Sequence, residues 1–190
     1  HVQSAAGPLV RVRTTTARFG SPYIACEASY AVAAHAGLDA WAHALQEPGA
    51  AAPDAVLIGC FGDPGLFALR DSSPVPVTGL AEAAFLQAAA RGCFAVVTGG
   101  DRWKPMLERL ARMLDCHAAL AGVLTVAPTG AELAADPQAA CRLLADACNA
   151  AARQWPVQSV IVGGAGLAGV AAAIQPMVQM PLIDSVHAAA

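Results

Sequence analysis

Asp54-Ala-Val-Leu-Ile-Gly-Cys60-Phe-Gly and Gln158-Ser-Val-Ile-Val-Gly-Gly164-Ala-Gly are two copies of one pattern, separated by 104 residues (164 − 60). In each copy a short run rich in Val, Leu and Ile ends at a glycine, which is typical of a buried strand of a parallel sheet. A second match follows, because Pro76-Val-Thr-Gly-Leu-Ala-Glu-Ala-Ala corresponds to Pro181-Leu-Ile-Asp-Ser-Val-His-Ala-Ala at an offset of 105 (181 − 76). With one inserted residue, each half therefore contains a strand, a glycine turn, a helix, a Pro-led strand and a second helix.

The order of the predicted elements indicates the fold class. Strands alternate with helices, and such alternation is typical of parallel sheets covered by helices on both faces. The repeat adds internal symmetry, so we predict an α/β fold of two pseudo-twofold-related, Rossmann/flavodoxin-like lobes with parallel sheets and a cleft between them. The predicted strands are 9–13, 55–58, 94–97, 123–126 and 160–162, the clearest helices are 81–91, 105–114 and 132–153, and threonine-bearing loops are predicted at 14–16 and at Thr129.

The repeat also predicts how the chain is divided. Residues 1–90 together with 176–190 are expected to form the first lobe, and residues 91–175 the second. The second copy opens with the strand at 94–97, and the same offset puts the equivalent strand of the first copy before His1. We therefore expect the first lobe to lack its first strand, and we expect the chain to be trimmed at both ends.

Composition and charge limit the class of partner. A net charge of −3, with 11 Lys and Arg that do not cluster, offers no surface for nucleic acid or anionic lipid. No uncharged apolar stretch reaches the roughly 18 residues that a membrane span needs. Six cysteines without close pairing, scattered histidines and no recognisable signal peptide predict a cytoplasmic protein with free thiols and no metal site. The expected partner is a small molecule.

The turn around Cys60 is the predicted site of chemistry. In Gly59-Cys60-Phe61-Gly62-Asp63-Pro64-Gly65, Asp63 suits the N-cap of a helix and Pro64 its first position. This assignment puts the thiol at a helix N-terminus, where backbone N–H groups would lower its pKa below the free value of about 8.5. A thiolate there could serve as a base or a nucleophile. The alternative interpretation is a buried cysteine tucked under a turn.

Four motifs together carry a family resemblance: Cys60-Phe-Gly-Asp-Pro-Gly, Pro76-Val-Thr-Gly-Leu-Ala-Glu-Ala, Val96-Val-Thr-Gly and Ile161-Val-Gly-Gly-Ala-Gly-Leu-Ala. They resemble the aspartate/glutamate/hydantoin racemase superfamily, nearest its hydantoin and allantoin racemase branch. The resemblance implies an active site between two lobes. It also implies cofactor-independent proton transfer at a carbon α to a carbonyl, on a small substrate with a carboxylate or hydantoin-like group, in a protein that can form homo-oligomers.

The chain departs from this family at one position. Racemases of the family place a second cysteine where this chain has Gly164. Racemisation needs an acid and a base on opposite faces of a planar intermediate, so Cys60 alone predicts one-sided proton handling. That is compatible with a racemase whose second acid is another residue, with decarboxylation followed by protonation, or with isomerisation through a thiol adduct.

Several neighbouring groups are candidates for binding the substrate. Thr98 and Gly99 match positions that bind substrate in the family. Backbone amides on the two turns would face each other across the cleft and stabilise a carboxylate or an enolate. These amides belong to Phe61, Gly62, Ala165 and Gly166.

Other interpretations stay open at this point. Gly164-Ala-Gly166-Leu-Ala-Gly169 also fits a dinucleotide-binding fingerprint, with Asp184 spaced to bind a ribose hydroxyl. A small-molecule-binding homologue that has lost turnover is a second alternative. Glu82 and His187 occupy equivalent places in the two Pro-led segments and are either site residues or ordinary helix-start residues.

Overall fold

The fold consists of two parallel sheets with helices packed around them. The computed structural model describes residues 1–47, 49, 51–128 and 130–190. Its strands are β1 (Val56–Ile58), β2 (Val77–Gly79), β3 (Phe94–Gly99), β4 (Leu120–Val126), β5 (Ser159–Gly163) and β6 (Leu182–Asp184). Its helices are α1 (Val2–Ala6), α2 (Glu27–Gln46), α3 (Leu66–Ser72), α4 (Leu80–Ala89), α5 (Trp103–Met113), α6 (Gly130–Ala135), α7 (Pro137–Gln154), α8 (Val170–Ile174) and α9 (Ser185–Ala189).

The strand pairing confirms the α/β fold with parallel sheets. One sheet has two strands, β1 and β2, and the other has four in the order β4-β3-β5-β6. Every pair is parallel. Because β1 and β5 both end at the same edge as their neighbours, the glycine turns that follow them lie where ligands bind in open α/β sheets.

The repeat is also visible in the register of the strands. Val56 pairs with Val77 in the small sheet, and Val160, which lies 104 residues after Val56, pairs with Leu182 in the large one. The same backbone hydrogen bond begins the pairing in both sheets. The Val56 amide donates to the Pro76 carbonyl, and the Val160 amide donates to the Pro181 carbonyl. The one-residue insertion therefore falls between equivalent strands and leaves their pairing unchanged.

The apolar core lies on both faces of the four-stranded sheet. Alternate residues of β3 point to opposite faces, as the pleat of a strand requires. Phe94 and Val96 pack with α4 and α5, whereas Ala95 and Val97 pack with α7. The first of these clusters also contains Phe61, so the turn after β1 is joined to the core of the larger sheet.

The strand predicted at residues 9–13 is wrong. Leu9 is almost completely exposed and Val10 is half exposed, so the segment buries no apolar face. Its backbone is bound instead by one side chain, because Gln3 donates to the Val10 carbonyl (2.7 Å) and accepts from the Val12 amide (2.8 Å). Alternating valines indicate a strand only where a neighbouring strand can pair with it.

The single helix predicted at residues 132–153 is two helices, α6 and α7. The break falls at Asp136, whose carboxylate accepts from the Ala139 amide at 3.1 Å as an N-cap. Pro137 follows at the first position of α7, where its missing N–H is tolerated but would interrupt a continuous helix. The strand predicted at 123–126 is confirmed as part of β4, and the predicted loop residue Thr129 lies outside the described residues.

The last segment of the chain contacts both predicted lobes. The prediction places residues 176–190 in the first lobe, but β6 is hydrogen-bonded to β5 and so belongs to the four-stranded sheet. α9, which follows β6 directly, packs against α4 of the first lobe. The division into 1–90 with 176–190 and 91–175 as a whole stays a prediction.

Among residues 1–47, 49, 51–128 and 130–190, no helix has both the length and the apolar composition needed to cross a membrane.

Candidate functional site

The turn after β1, residues 59–64 and called turn 1 below, is held by aromatic side chains from both sides. The Tyr30 hydroxyl on α2 donates to the Gly62 carbonyl at 2.8 Å. Trp103, at the start of α5, lies directly over Gly62, where a Cβ atom would come within 2.4 Å of the indole ring. Gly62 also has φ +121°, which favours glycine. Position 62 therefore requires glycine both for its backbone conformation and for the space that Trp103 occupies.

Phe61 joins turn 1 to the four-stranded sheet. Its ring is almost fully buried and lies so close to Gly163, the last residue of β5, that a Cβ there would be 2.2 Å away. The ring also makes an edge contact with Phe85 of α4, with centroids 6.3 Å apart. Turn 1 is therefore fixed against the strand that leads into the second glycine turn.

The predicted capping role of Asp63 is wrong for its own helix. α3 begins at Leu66 with Gly65 as its N-cap, and Asp63 has left-handed backbone geometry at φ +54°. The Asp63 carboxylate reaches across and accepts from the amides of Ala81 (2.9 Å) and Glu82 (2.7 Å) at the start of α4. Glycines at 62 and 65 let the chain bend away from α3, so that Asp63 caps the next helix instead.

The Cys60 thiol consequently does not lie at a helix N-terminus, and its pKa moves opposite to the prediction. Burial of the thiol, and then the nearby charge of Asp63, raise the pKa of Cys60 to about 12. Its sulfur contacts the Phe61 carbonyl at 4.0 Å and packs against the main apolar cluster. Cys60 is thus a neutral thiol in this conformation, a proton donor rather than a ready base.

Asp63 is itself in an unusual environment. Burial is the main reason that its pKa is raised to about 7, and the charge of Glu82 adds to this effect. The amides of Ala81, Glu82 and Gly62 act in the opposite direction by stabilising the carboxylate. The oxyanion-binding role predicted for the Gly62 amide stays a prediction.

The second glycine turn, residues 163–166 and called turn 2 below, is held by small polar groups. The buried Thr98 hydroxyl donates to the Gly163 carbonyl at 2.8 Å, and the Gly164 amide donates to the Ser185 hydroxyl at 3.3 Å. Thr98 therefore orients turn 2 within the sheet. The substrate-binding roles predicted for Thr98 and Gly99 stay predictions.

Three backbone amides on the two turns are candidates for binding an oxyanion. Within the part of the chain that the structure describes, no hydrogen-bond acceptor lies on the N–H groups of Phe61, Ala165 and Gly166. Ala165 and Gly166 are exposed, whereas Phe61 is buried. These three amides retain the binding capacity that the oxyanion prediction requires.

A cavity of about 340 Å³ lies between the two turns. Gly59 of turn 1 and Ala165 of turn 2 line it, and the starts of α4 and α9 contribute Leu80 and Val186. The remaining lining comes from the N-terminal segment, with His1, Val2, Gln3, Val12 and Thr14. The cavity wall is mostly apolar. Cys60 follows Gly59 in the chain, but its side chain does not line the cavity and packs against the main apolar cluster.

A larger hollow, of about 560 Å³, is lined by α6, by α7 and by the residues that follow β4. Its lining includes Glu132, Leu133 and Asp136. Neither cavity has a cysteine in its lining, but only the smaller one is lined by residues of both turns.

The remaining candidate residues have structural partners. Glu82 is almost fully buried and accepts from Arg70 (2.6 Å) and from the Thr78 hydroxyl (2.9 Å). Asp184 accepts from the amides of Gly169 and Val186, which leaves its carboxylate occupied rather than open to a ribose hydroxyl. These contacts argue against the dinucleotide interpretation.

The His187 side chain is exposed and lies 3.4 Å from Asp184. Among the described residues, no group of three or more His, Cys, Asp or Glu side chains could hold a metal ion.

Sequence reasoning missed the residues that hold turn 1. Tyr30 lies 32 residues before Gly62, on a helix whose pattern gave no sign of this contact. Trp103 was placed before the predicted helix rather than at its start. The one available signal was the glycine at position 62, since glycine is also used where another group approaches the backbone closely.

Comparisons with known proteins agree with this architecture. A hydantoin racemase from Paenarthrobacter aurescens is 33% identical over 138 residues, which cover 72% of this chain and 58% of the relative. The crystal structure of allantoin racemase from Pseudomonas fluorescens superimposes with a TM-score of 0.89 at 27% identity, covering 98% of this chain and 77% of that one. The chain spans a little over half the length of the hydantoin racemase.

A more distant structure shares the fold alone. Arylmalonate decarboxylase aligns with a TM-score of 0.58 at 21% identity, covering 84% of this chain and 74% of that one. The sequence pattern of the family described as "Asp/Glu/Hydantoin racemase" matches residues 1–190. The resemblance carried by the four motifs is thereby confirmed, and the chain belongs to the Asp/Glu/hydantoin racemase family.

Proposed function

We propose that this chain forms the reactive part of a cofactor-independent, racemase- or epimerase-like enzyme, in which the Cys60 thiol transfers a proton at a carbon α to a carbonyl. The observation that carries the proposal is the meeting of two equivalent turns at the ends of β1 and β5, with a cavity between them. One turn has a thiol and the other has Gly164. The expected substrate is a small molecule with a carboxylate or a hydantoin-like ring.

The chemistry follows from the groups available on the two turns. Removing the α-proton leaves the electron pair delocalised onto the adjacent carbonyl as an enolate. Amides of Phe61, Ala165 and Gly166 would stabilise the enolate oxygen, because preorganised donors are worth most where charge develops. Returning a proton to carbon completes the exchange and restores the carbonyl.

The protonation state of Cys60 determines which half of this cycle is favoured. With a pKa raised to about 12, the thiol is protonated at neutral pH and can donate its proton without prior change. To act as a base it must first be ionised, which requires a less negative or better hydrogen-bonded surrounding when substrate binds. The thiol is therefore better suited to protonating an enolate than to forming one.

Gly164 makes the proposed proton transfer one-sided. A glycine carries no acid or base, so the face of the substrate that looks toward turn 2 has no proton-carrying side chain from this position. An enzyme with a single thiol exchanges the α-proton on one face faster than it inverts the centre. Full racemisation would require a second acid from elsewhere.

A second candidate function is decarboxylation, and the neutral thiol favours it. When a carboxylate on the α-carbon leaves as CO2, the electron pair of the broken C–C bond stays on the carbon as an enolate. That enolate needs one proton on one face, which the Cys60 thiol supplies. No base is needed on the opposite face, so Gly164 is no obstacle.

The cavity suggests how a substrate would be oriented. Its apolar wall, formed by Leu80, Val186 and Ala165, would contact the side group of the substrate. The polar head would then face the exposed amides of turn 2. Six free cysteines fit a reducing compartment such as the cytoplasm, and a homo-oligomer is consistent with the family.

Isotope exchange tests the proposal. The protein is incubated in deuterium oxide with hydantoins, allantoin, amino acids and arylmalonates, and deuterium at the α-carbon and optical rotation are followed. We expect one class to exchange, and we expect Cys60→Ala to lower the rate by about 10²- to 10⁴-fold because the proton-transfer group is lost.

Cys93→Ala is the matched control, since Cys93 is exposed and lies outside both turns. It should leave the exchange rate unchanged. If every substrate fails to exchange, or if Cys60→Ala exchanges as fast as the wild type, Cys60 is not the catalyst. A small-molecule-binding homologue without turnover would then explain the cavity.

A further inference from the structure

The helices that follow β2 and β6 are capped by carboxylates from different places in the chain. At the start of α9, Asp184 is the N-cap itself and accepts from the amides of Val186 (2.9 Å) and His187 (3.2 Å). At the start of α4 the equivalent amides are those of Ala81 and Glu82, which bind Asp63. The same two amides are satisfied in both halves, but by residues at non-equivalent positions.

The first half has no room for a capping carboxylate at both position 63 and position 79. Gly79 is the residue equivalent to Asp184 (184 − 105), and a Cβ on Gly79 would lie 2.1 Å from the Asp63 carboxyl carbon. The Asp63 carboxylate thus fills the volume that a side chain at position 79 would take. Gly79 has extended backbone geometry (φ −132°), so position 79 needs glycine for space and not for conformation.

The origin of the carboxylate changes what it holds. Asp184 reaches from its own helix to the Gly169 amide at the start of α8, so it joins two helices of the second half. Asp63 belongs to turn 1, three residues after Cys60, and its amide also donates to the Cys60 carbonyl at 3.1 Å. Binding of Asp63 to α4 therefore fixes the segment that carries the thiol.

We propose that Asp63 is a positioning residue for Cys60: by anchoring turn 1 to the start of α4, Asp63 fixes the place of the thiol. The inference rests on the proposed function only in giving Cys60 a catalytic role. A capping carboxylate at position 79, as in the second half, would stabilise α4 equally well but would not hold the turn. Moving the carboxylate from position 63 to position 79 therefore distinguishes a role in capping α4 from a role in positioning Cys60.

The test transfers the carboxylate from one position to the other. Asp63→Gly removes it, and glycine suits the left-handed geometry at this position. Asp63→Gly combined with Gly79→Asp restores a carboxylate at the position used in the second half. Each protein is measured for its melting temperature, for kcat and KM of α-deuterium exchange, and for alkylation of Cys60 by iodoacetamide as a function of pH, followed by mass spectrometry of the Cys60 peptide.

We expect Asp63→Gly to lower the melting temperature and the double variant to restore it. In both variants kcat should stay on the order of tenfold to 100-fold below wild type with KM little changed, because the thiol is displaced. Cys60 should be alkylated several-fold faster than in the wild type at every pH. Asp184→Ala, which removes the equivalent cap, should lower the melting temperature and leave Cys60 alkylation as in the wild type.

Two results would overturn the proposal. If the double variant restores kcat and slow alkylation together with the melting temperature, Asp63 only caps a helix. If Asp63→Gly itself leaves kcat and Cys60 alkylation as in the wild type, Asp63 does not position the thiol. Should exchange in the wild type prove independent of Cys60, the proposed function fails, but the alkylation rates still decide whether Asp63 positions the turn.

Discussion

Turn 1 and turn 2 have the same place in the repeat but opposite construction. Turn 1 is held by large groups, with the Tyr30 hydroxyl bonded to it, Trp103 over Gly62 and its own Phe61 inserted toward β5. Turn 2 is held by the hydroxyls of Thr98 and Ser185, and two of its residues are exposed. One half of the repeat therefore fixes a reactive side chain, while the other presents backbone amides.

The difference is greatest in the side chains and least in the backbone. Gly65 and Gly169, again 104 residues apart, are the N-caps of α3 and α8 and have nearly the same left-handed geometry, with φ of 81° and 85°. Equivalent strands also pair in the same register. The two halves of the repeat thus share a backbone arrangement but differ in where large side chains, charged groups and the thiol are placed.

The largest expected effect concerns the ring that crosses between the two turns. Phe61→Ala should lower the free energy of unfolding by about 3 to 5 kcal/mol, because a buried ring is removed and a cavity is left between turn 1 and β5. Phe67→Ala is the matched control, since Phe67 is 42% exposed. Urea unfolding of both variants measures the difference, and equal losses would show that Phe61 does not join the turns.

A smaller effect is expected from equivalent glycines. Gly163→Ala should lower the free energy of unfolding by about 1 to 3 kcal/mol, because its methyl group would collide with the Phe61 ring. At the equivalent position, Gly59→Ala has no atom within 4 Å of the added Cβ, so it should change the free energy of unfolding by less than about 0.5 kcal/mol. Thermal or urea unfolding that gave the two variants the same stability would refute the asymmetric packing.

The smallest effect is expected at the position of the absent second cysteine. Gly164 has φ +152° and a Cβ there would lie 3.1 Å from Leu167, so Gly164→Cys and Gly164→Ala should both lose on the order of 1 kcal/mol of stability. Relative to Gly164→Ala, the cysteine variant should raise inversion of the α-centre, measured by optical rotation. A folded cysteine variant that inverts no faster than the alanine one would mean that position 164 does not face the substrate.

The sequence predicted the features that depend on local pattern. Repeated apolar runs ending in glycine predicted β1, β3 and β5, and the two offsets predicted the same order of elements in each half. Asp136-Pro137 carried a capping signal that the continuous apolar pattern of residues 132–153 obscured. Where a motif and its partner are adjacent in the chain, residue type was sufficient.

The predictions that were wrong concern features that depend on contacts between residues distant in the chain. Asp63 looks like a cap for the helix after it, but it binds amides 18 and 19 residues further on. The pKa of Cys60 was predicted to fall because a helix start was assumed beside it, whereas burial and the charge of Asp63 raise it. Neither burial nor a through-space charge can be inferred from the motif alone.

The central claim is that proton transfer takes place on one face of the substrate, at Cys60. The direct measurement incubates each enantiomer of an exchanging substrate separately in deuterium oxide and compares α-deuterium incorporation with inversion. The account predicts that one enantiomer exchanges with retention much faster than it inverts, and that the other is nearly inert. Equal exchange of both enantiomers, with inversion as fast as exchange, would contradict it.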